Sequence, residues 1–106
     1  MVVAFALREN HHRSAIDDHF GRCDWYGIYN TDTRKTEYLE NPNRYAAEGV
    51  GCTSVEYLMK YGIEAVVAGR FGSKVVELLK KNNIQMIIPE VDKTMEEFTK
   101  LIKINA

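Results

Sequence analysis

The chain has 106 residues, 45% of them apolar and 27% charged, with a formal net charge of -1 at pH 7. That length suits one domain around one core (residues 1–106), and that composition is too apolar for a disordered chain. The near-neutral balance, without a basic run, argues against a nucleic-acid partner, and no stretch approaches a membrane span or a secretory signal, so a cytoplasmic protein is expected.

Val2 to Leu7 (VVAFAL) is a continuous apolar run, the composition of a strand buried on both faces. Arg8 to Cys23 is polar and irregular, and a loop of that length inside a compact fold is usually functional. Trp25 to Asn30 (WYGIYN) reads as a strand, Thr31-Asp32-Thr33-Arg34 as a turn, and Lys35 to Leu39 as a partly exposed edge strand, together a hairpin. Glu40 to Gly51 is a second loop, marked by Asn41-Pro42-Asn43 and two glycines. The pair Thr53 and Glu56 predicts a capping box that opens a helix at Thr53, with Val55, Leu58 and Met59 on one face and Gly62 as a left-handed cap. Ala65 to Ala68 is a short buried strand, Gly69-Arg70-Phe71-Gly72 a tight third loop, and Ser73 to Lys81 a helix. Gln85 to Ile88 is the last strand, stopped by Pro89. Thr94 with Glu97 predicts a second capping box, and the final helix is expected to bury Phe98, Leu101 and Ile102.

From Lys35 onward strands alternate with helices, which implies parallel crossovers of right-handed connection. If the first strand runs upward, the Trp25 strand must start at the top, and the strands from Lys35, Ala65 and Gln85 must end there. The three loops then share one edge of a mixed sheet. That edge gathers His11, His12, His19, Cys23, Gly49, Gly51, Cys52, Arg70 and Gly72. In open α/β sheets ligands bind outside the carboxyl ends of the parallel strands.

The richest stretch is Ser14 to Trp25, which holds His19, Gly21, Arg22 and Cys23. Thiolate and imidazole suit a soft metal, and an arginine offers a fork of donors to an anion. Cys52, just before the expected Thr53 cap, would have its thiolate favoured by the helix dipole. His19, Cys23 and Cys52 thus make a candidate three-ligand metal site. The competing reading is that both cysteines are packed thiols. Arg70 between two glycines, with the amides of a helix start beside it, is a candidate anion contact. Met59, Met86 and Met95 fall on core-facing patterns.

The pattern Ile16-x-x-His19-Phe20-Gly21-Arg22, then Asn41-Pro42-Asn43, Gly49-x-Gly51, a helix, the run Gly62 to Gly69 (GIEAVVAG), and Gly72 opening the next helix resembles the dinitrogenase iron–molybdenum cofactor biosynthesis family: NifX-like proteins and the C-terminal domain of NifB. The resemblance spans nearly the whole chain. It implies a three-layer α/β/α, ribonuclease-H-like fold with a five-stranded mixed sheet of order 3-2-1-4-5, strand 2 antiparallel. It implies a small non-catalytic protein that binds or carries an iron–sulfur or iron–molybdenum type cluster between donor and acceptor proteins, as a monomer or weak homodimer. The family histidine falls on His19, with Arg22, Gly49, Gly51, Arg70 and Gly72 as candidate cluster contacts. The chain departs from the pattern where Glu9 to Arg13 replaces the Gly- and Pro-rich segment that often precedes the histidine. Cys23 and Cys52 are not expected in every member. A ribonuclease-H-like nuclease needs acidic residues on the central strand to hold two metal ions, and Val2 to Leu7 has none. A protein-interaction or regulatory module of the same fold, with no bound cluster, is the alternative.

Overall fold

Strand β1 (Val2–Leu7) forms the spine of the molecule, because its side chains feed two cores at once. Ala4 and Ala6 point to one cluster, while Val3, Phe5 and Leu7 point to the other. This explains the uninterrupted apolar run: a strand covered on both faces has no solvent side for polar residues. The computed structural model describes residues 1–45, 49–90 and 93–105, with side chains through Lys100.

β1 is antiparallel to β2 (Trp25–Asn30), with Leu7 opposite Trp25 and Val2 opposite Asn30. β2 in turn is antiparallel to β3 (Lys35–Glu40). On its other side β1 is parallel to β4 (Ala65–Val67), which is parallel to β5 (Gln85–Ile87). The sheet is five-stranded, in the order β3-β2-β1-β4-β5. This is the mixed α/β sheet expected from the run of elements, in the strand order that the family resemblance implies. The hairpin needs no Asn-Gly turn because the Asn30 side chain accepts from the amides of Asp32 and Thr33, while Arg34 takes a left-handed conformation (φ 61°).

Helices α1 (Val50–Met59) and α2 (Ser73–Lys81) cover one face through Val55, Leu58, Val75 and Leu79. Helix α3 (Met95–Asn105) covers the other through Met95 and Phe98, and Phe98 meets Phe5 edge-on at 5.7 Å. Of the expected core methionines, Met95 is buried and Met86 half-buried, but Met59 at the end of α1 is exposed. The expected burial of Leu101 and Ile102 lies outside the described side chains.

Two helix starts differ in kind from the third. α3 carries the capping box foreseen from Thr94 and Glu97: the Glu97 amide donates to Thr94 Oγ1 and the Glu97 carboxylate accepts from the Thr94 amide. The Glu97 carboxyl is held below its ordinary range by those bonds. α1, in contrast, does not start at a Thr53 box. It starts at Val50, three residues earlier, and the Thr53 hydroxyl donates back to the Gly49 carbonyl at 2.9 Å. Gly49, at φ 72°, supplies the left-handed corner that lets the helix begin there, a conformation a β-carbon would disfavour. α2 also starts on a glycine, Gly72. Neither α1 nor α2 has a side-chain cap, so their first amides are left for another partner.

Candidate functional site: a glycine-walled pocket at two helix starts

The loop from Arg8 to Asp24 is long but not slack. Its first half is sewn to the body of the fold. The buried Ser14 hydroxyl accepts from the Arg8 and Glu9 amides, Ala15 forms a bridge to Thr94, and Ile16 forms one to Leu7. Its second half runs across the carboxyl end of β4. The Gly69 amide donates to the Asp17 carbonyl at 3.0 Å, and the His19 backbone pairs with Arg70 in a parallel bridge. Two loops expected to share an edge are therefore hydrogen-bonded to each other.

Phe20 anchors this stretch. Its ring is buried against Phe71 (5.4 Å) and Tyr26 (5.7 Å). Its carbonyl accepts from the Tyr26 hydroxyl at 2.5 Å and from Cys23 Sγ at 3.4 Å. Gly21 then packs against α1. A β-carbon at Gly21 would lie 2.8 Å from the Gly51 nitrogen and 2.9 Å from its Cα, so a side chain there would force the backbones apart. Gly51 in turn faces Val75, whose Cγ2 occupies the space a Gly51 β-carbon would need. Through these contacts the first loop, the start of α1 and the first turn of α2 close on one another.

They enclose a pocket of about 350 Å³. The first loop contributes His19, Phe20, Gly21 and Arg22; α1 contributes Val50 and Gly51; and the third loop with α2 contributes Arg70, Phe71, Gly72 and Val75. The floor is apolar. The rim carries two guanidinium groups and the His19 imidazole, which is 62% exposed and 3.8 Å from Asp17 Oδ1. The uncapped starts of α1 and α2 add the positive ends of two helix dipoles. The chemistry of such an arrangement suits an anion with an apolar or soft body.

Of the residues singled out in the sequence, the pocket brings together His19, Arg22, Gly51, Arg70 and Gly72. Gly49 sits outside its wall, as the corner that starts α1. The three-ligand set of His19, Cys23 and Cys52 is not assembled. Among the described residues no three His, Cys, Asp or Glu side chains come together to hold a metal ion. Cys23 is fully buried, and burial pushes its thiol up to about 12. The reason is the packing beneath the loop: Tyr26, Phe20 and the core of α1 close over Cys23, so it behaves as a small apolar residue. Cys52, now within the first turn of α1, is half-buried against the same core. Neither cysteine lines the pocket.

A difference in reactivity follows. In the native protein Cys52 should react with a thiol reagent at pH 8 and Cys23 should stay unmodified until the chain is unfolded. Equal labelling rates would show that Cys23 is accessible. The raised Cys23 thiol also fixes a sign. Its contribution to stability is complete below the unfolded value near 9 and is lost as pH climbs toward 12.

Asn41, which the sequence placed in a loop and in the family pattern without a role, braces the pocket's first loop. It is 1% exposed. Its amide group donates to the carbonyls of Gly21 (3.0 Å) and Cys23 (2.9 Å), and its side-chain oxygen accepts from the Asn43 amide. It therefore holds both ends of Gly21-Arg22-Cys23. Arg44 continues the brace: its guanidinium donates to the Asn41 carbonyl, and its own carbonyl accepts from Arg22. The signal was an asparagine ahead of a proline beside a loop whose carbonyls needed donors.

The mixed sheet of order 3-2-1-4-5 between helical layers, with a cationic pocket at the loop edge, defines an α/β/α protein of the ribonuclease-H-like class. The chain belongs to the dinitrogenase iron–molybdenum cofactor family, whose sequence model matches residues 1–103. It is 30% identical over 89 residues to an uncharacterized protein of Methanocaldococcus jannaschii, a match covering 81% of this chain and 72% of the relative. Its fold is similar to that of a NifB-like protein of the DUF35 family from Thermotoga, with a TM-score of 0.81 at 27% identity, covering 95% of this chain and 85% of that one. It is also similar to the apo form of the orange protein from Desulfovibrio gigas. There the TM-score is 0.90 at 19% identity, covering 98% of this chain and 88% of that one, a likeness of fold. No helix among the described residues is long and apolar enough to cross a membrane.

Proposed function

We propose that this protein binds an anionic metal–sulfur cluster, of the iron–sulfur or iron–molybdenum type, in the pocket between the first loop, α1 and α2. It carries that cargo between donor and acceptor proteins during cofactor assembly and performs no catalysis of its own. The observation that carries this reading is the convergence of two uncapped helix starts, Arg22 and Arg70 on one glycine-walled cavity.

The donor set fits a cargo held as an intact anion. Arg22 and Arg70 supply charge and N–H donors from opposite sides, and the amides that open α1 and α2 supply further donors. Phe20 and Phe71 close the apolar floor and limit water. His19 offers a single nitrogen at the rim, enough to touch one metal but not to build a site. The set does not fit a cluster ligated through Cys23, whose thiol is buried and protonated. A carrier must release its cargo, and charge and hydrogen bonds let go more readily than several metal–thiolate bonds. Membership of the dinitrogenase iron–molybdenum cofactor family supports a role in cofactor assembly, which we propose is carried out in the cytoplasm by a monomer or weak homodimer.

The test uses tetrathiomolybdate and an anaerobically reconstituted iron–sulfur cluster as probes, with visible absorption and metal analysis as readouts. Arg22→Ala and Arg70→Ala are each expected to weaken binding about tenfold, the scale of one charge-assisted contact; the unfolding midpoint should hardly move for Arg70→Ala and fall slightly for Arg22→Ala, which also gives up its bond to the Arg44 carbonyl. Binding unchanged in the double variant, or no binding by the intact protein, would overturn this reading in favour of an interaction module of the same fold.

A further inference from the structure

The opposite face of the sheet holds a second cavity, of about 360 Å³, between β2, β3 and the start of α3. It shares no lining residue with the pocket at His19. Its wall is polar, and at its base lies Tyr29, 4% exposed, whose hydroxyl is buried without a hydrogen-bond partner among the described residues. Leaving a buried hydroxyl unpaired costs on the order of 1–3 kcal/mol. The residue directly across the ladder is Thr36, on the same face, and Tyr38 stands further along β3.

The charges around this cavity are unbalanced. Glu96 is the one carboxylate in the wall, and it is already engaged by His12 (3.5 Å), Arg13 (3.9 Å) and Lys100 (3.5 Å). Arg34 also lines the cavity and makes no ion pair among the described residues. Arg34 and Lys100 set two positive charges against the one negative charge of Glu96. The hairpin fixes the Arg34 backbone at the cavity, since Arg34 takes the left-handed turn conformation and its amide donates to the Asn30 carbonyl.

We propose that this cavity is a binding site for a small organic or inorganic anion, carrying a carboxylate or phosphate. The anionic group sits between Arg34 and Lys100, and an acceptor oxygen takes the hydrogen bond of the Tyr29 hydroxyl. A volume of 360 Å³ lies at the lower end of ligand-pocket sizes, which suits a metabolite rather than a peptide. The site stands apart from the cluster pocket, so its occupancy does not depend on the function proposed above.

Inorganic phosphate and succinate are the probes, titrated separately into the isotope-labelled protein and followed through backbone amide signals. The expected result is a saturable shift at Thr36, Tyr38 and Met95 to Lys100 with one or both anions. Arg34→Ala should weaken it about tenfold. Tyr29→Phe should weaken it several-fold while keeping or raising the thermal midpoint, because it removes an unpaired hydroxyl. A structural role for Tyr29 would give the reverse, a lower midpoint and unchanged affinity. The proposal is overturned if neither anion shifts these amides at about 10 mM, well above the dissociation constant of a weak metabolite site. Shifts confined to the residues around His19, or affinity unchanged in both variants, overturn it equally.

Discussion

Alanine at position 41 is expected to lower stability by about 3 kcal/mol, since three backbone groups lose their partner at about 1 kcal/mol or more each. Those groups are the carbonyls of Gly21 and Cys23 and the amide of Asn43. Asn41 is 1% exposed, so bulk water does not reach these groups in the folded protein. Asn41→Asp separates shape from hydrogen bonding. The carboxylate has the same outline but cannot donate, and it would face two carbonyl oxygens. It should be worse than alanine at pH 7. It should recover part of the loss at pH 5, because a carboxyl in that setting has a raised folded pKa and is tolerated only when protonated. Urea unfolding at the two pH values measures both effects. A loss under about 1 kcal/mol for Asn41→Ala would mean that the loop is held by Tyr26 and Phe20 alone.

The second large effect belongs to Gly51. In a helix, glycine to alanine normally gains up to about 1 kcal/mol. Here the added carbon lands on Val75 Cγ2, closer than any real contact. Val75 is 6% exposed and β-branched, so one χ1 rotamer is strongly preferred and moving to another is costly. Overpacking of this kind costs about 1–3 kcal/mol, which outweighs the helix gain. Gly51→Ala should therefore destabilise by about 1 kcal/mol and, by pushing α2 from the first loop, weaken anion binding more than tenfold. The double variant Gly51→Ala, Val75→Ala identifies the cause. It should be more stable than the sum of the single losses allows, by about 1 kcal/mol of coupling. Strict additivity would show that the clash is relieved elsewhere.

The elements and their order were legible because β1, β2 and β4 are distinct apolar runs, β3 reads as an alternating edge strand, and each direction follows from the one before. β1 showed its central place through VVAFAL alone. The common edge of the three loops followed from direction, and of the residues it gathered His19, Gly51, Arg70 and Gly72 line the pocket, while His11, His12, Cys23, Gly49 and Cys52 do not. The start of α1 was not legible: Thr53 and Glu56 make a plausible box, but two nearby glycines let the helix begin at Val50, and the threonine hydroxyl turned back to Gly49. The burial of Cys23 was hidden for a different reason. It depends on Tyr26 and Phe20 folding over it, and spacing along the chain says nothing about that. Asn41 was hidden by distance, since its partners lie 20 and 18 residues away.

The three walls of the pocket at His19 come from residues 19–22, 50–51 and 70–75, and they meet only when the whole sheet has formed. A denatured chain offers nothing equivalent. An anion that grips all three walls therefore acts as a reversible clasp on the folding equilibrium, adding about 2.7 kcal/mol when free ligand stands at a hundred times its dissociation constant. Loaded and empty protein then differ in how often they open to proteases. Under the function proposed above, occupancy and lifetime would be linked, the empty form being the one more readily cleared.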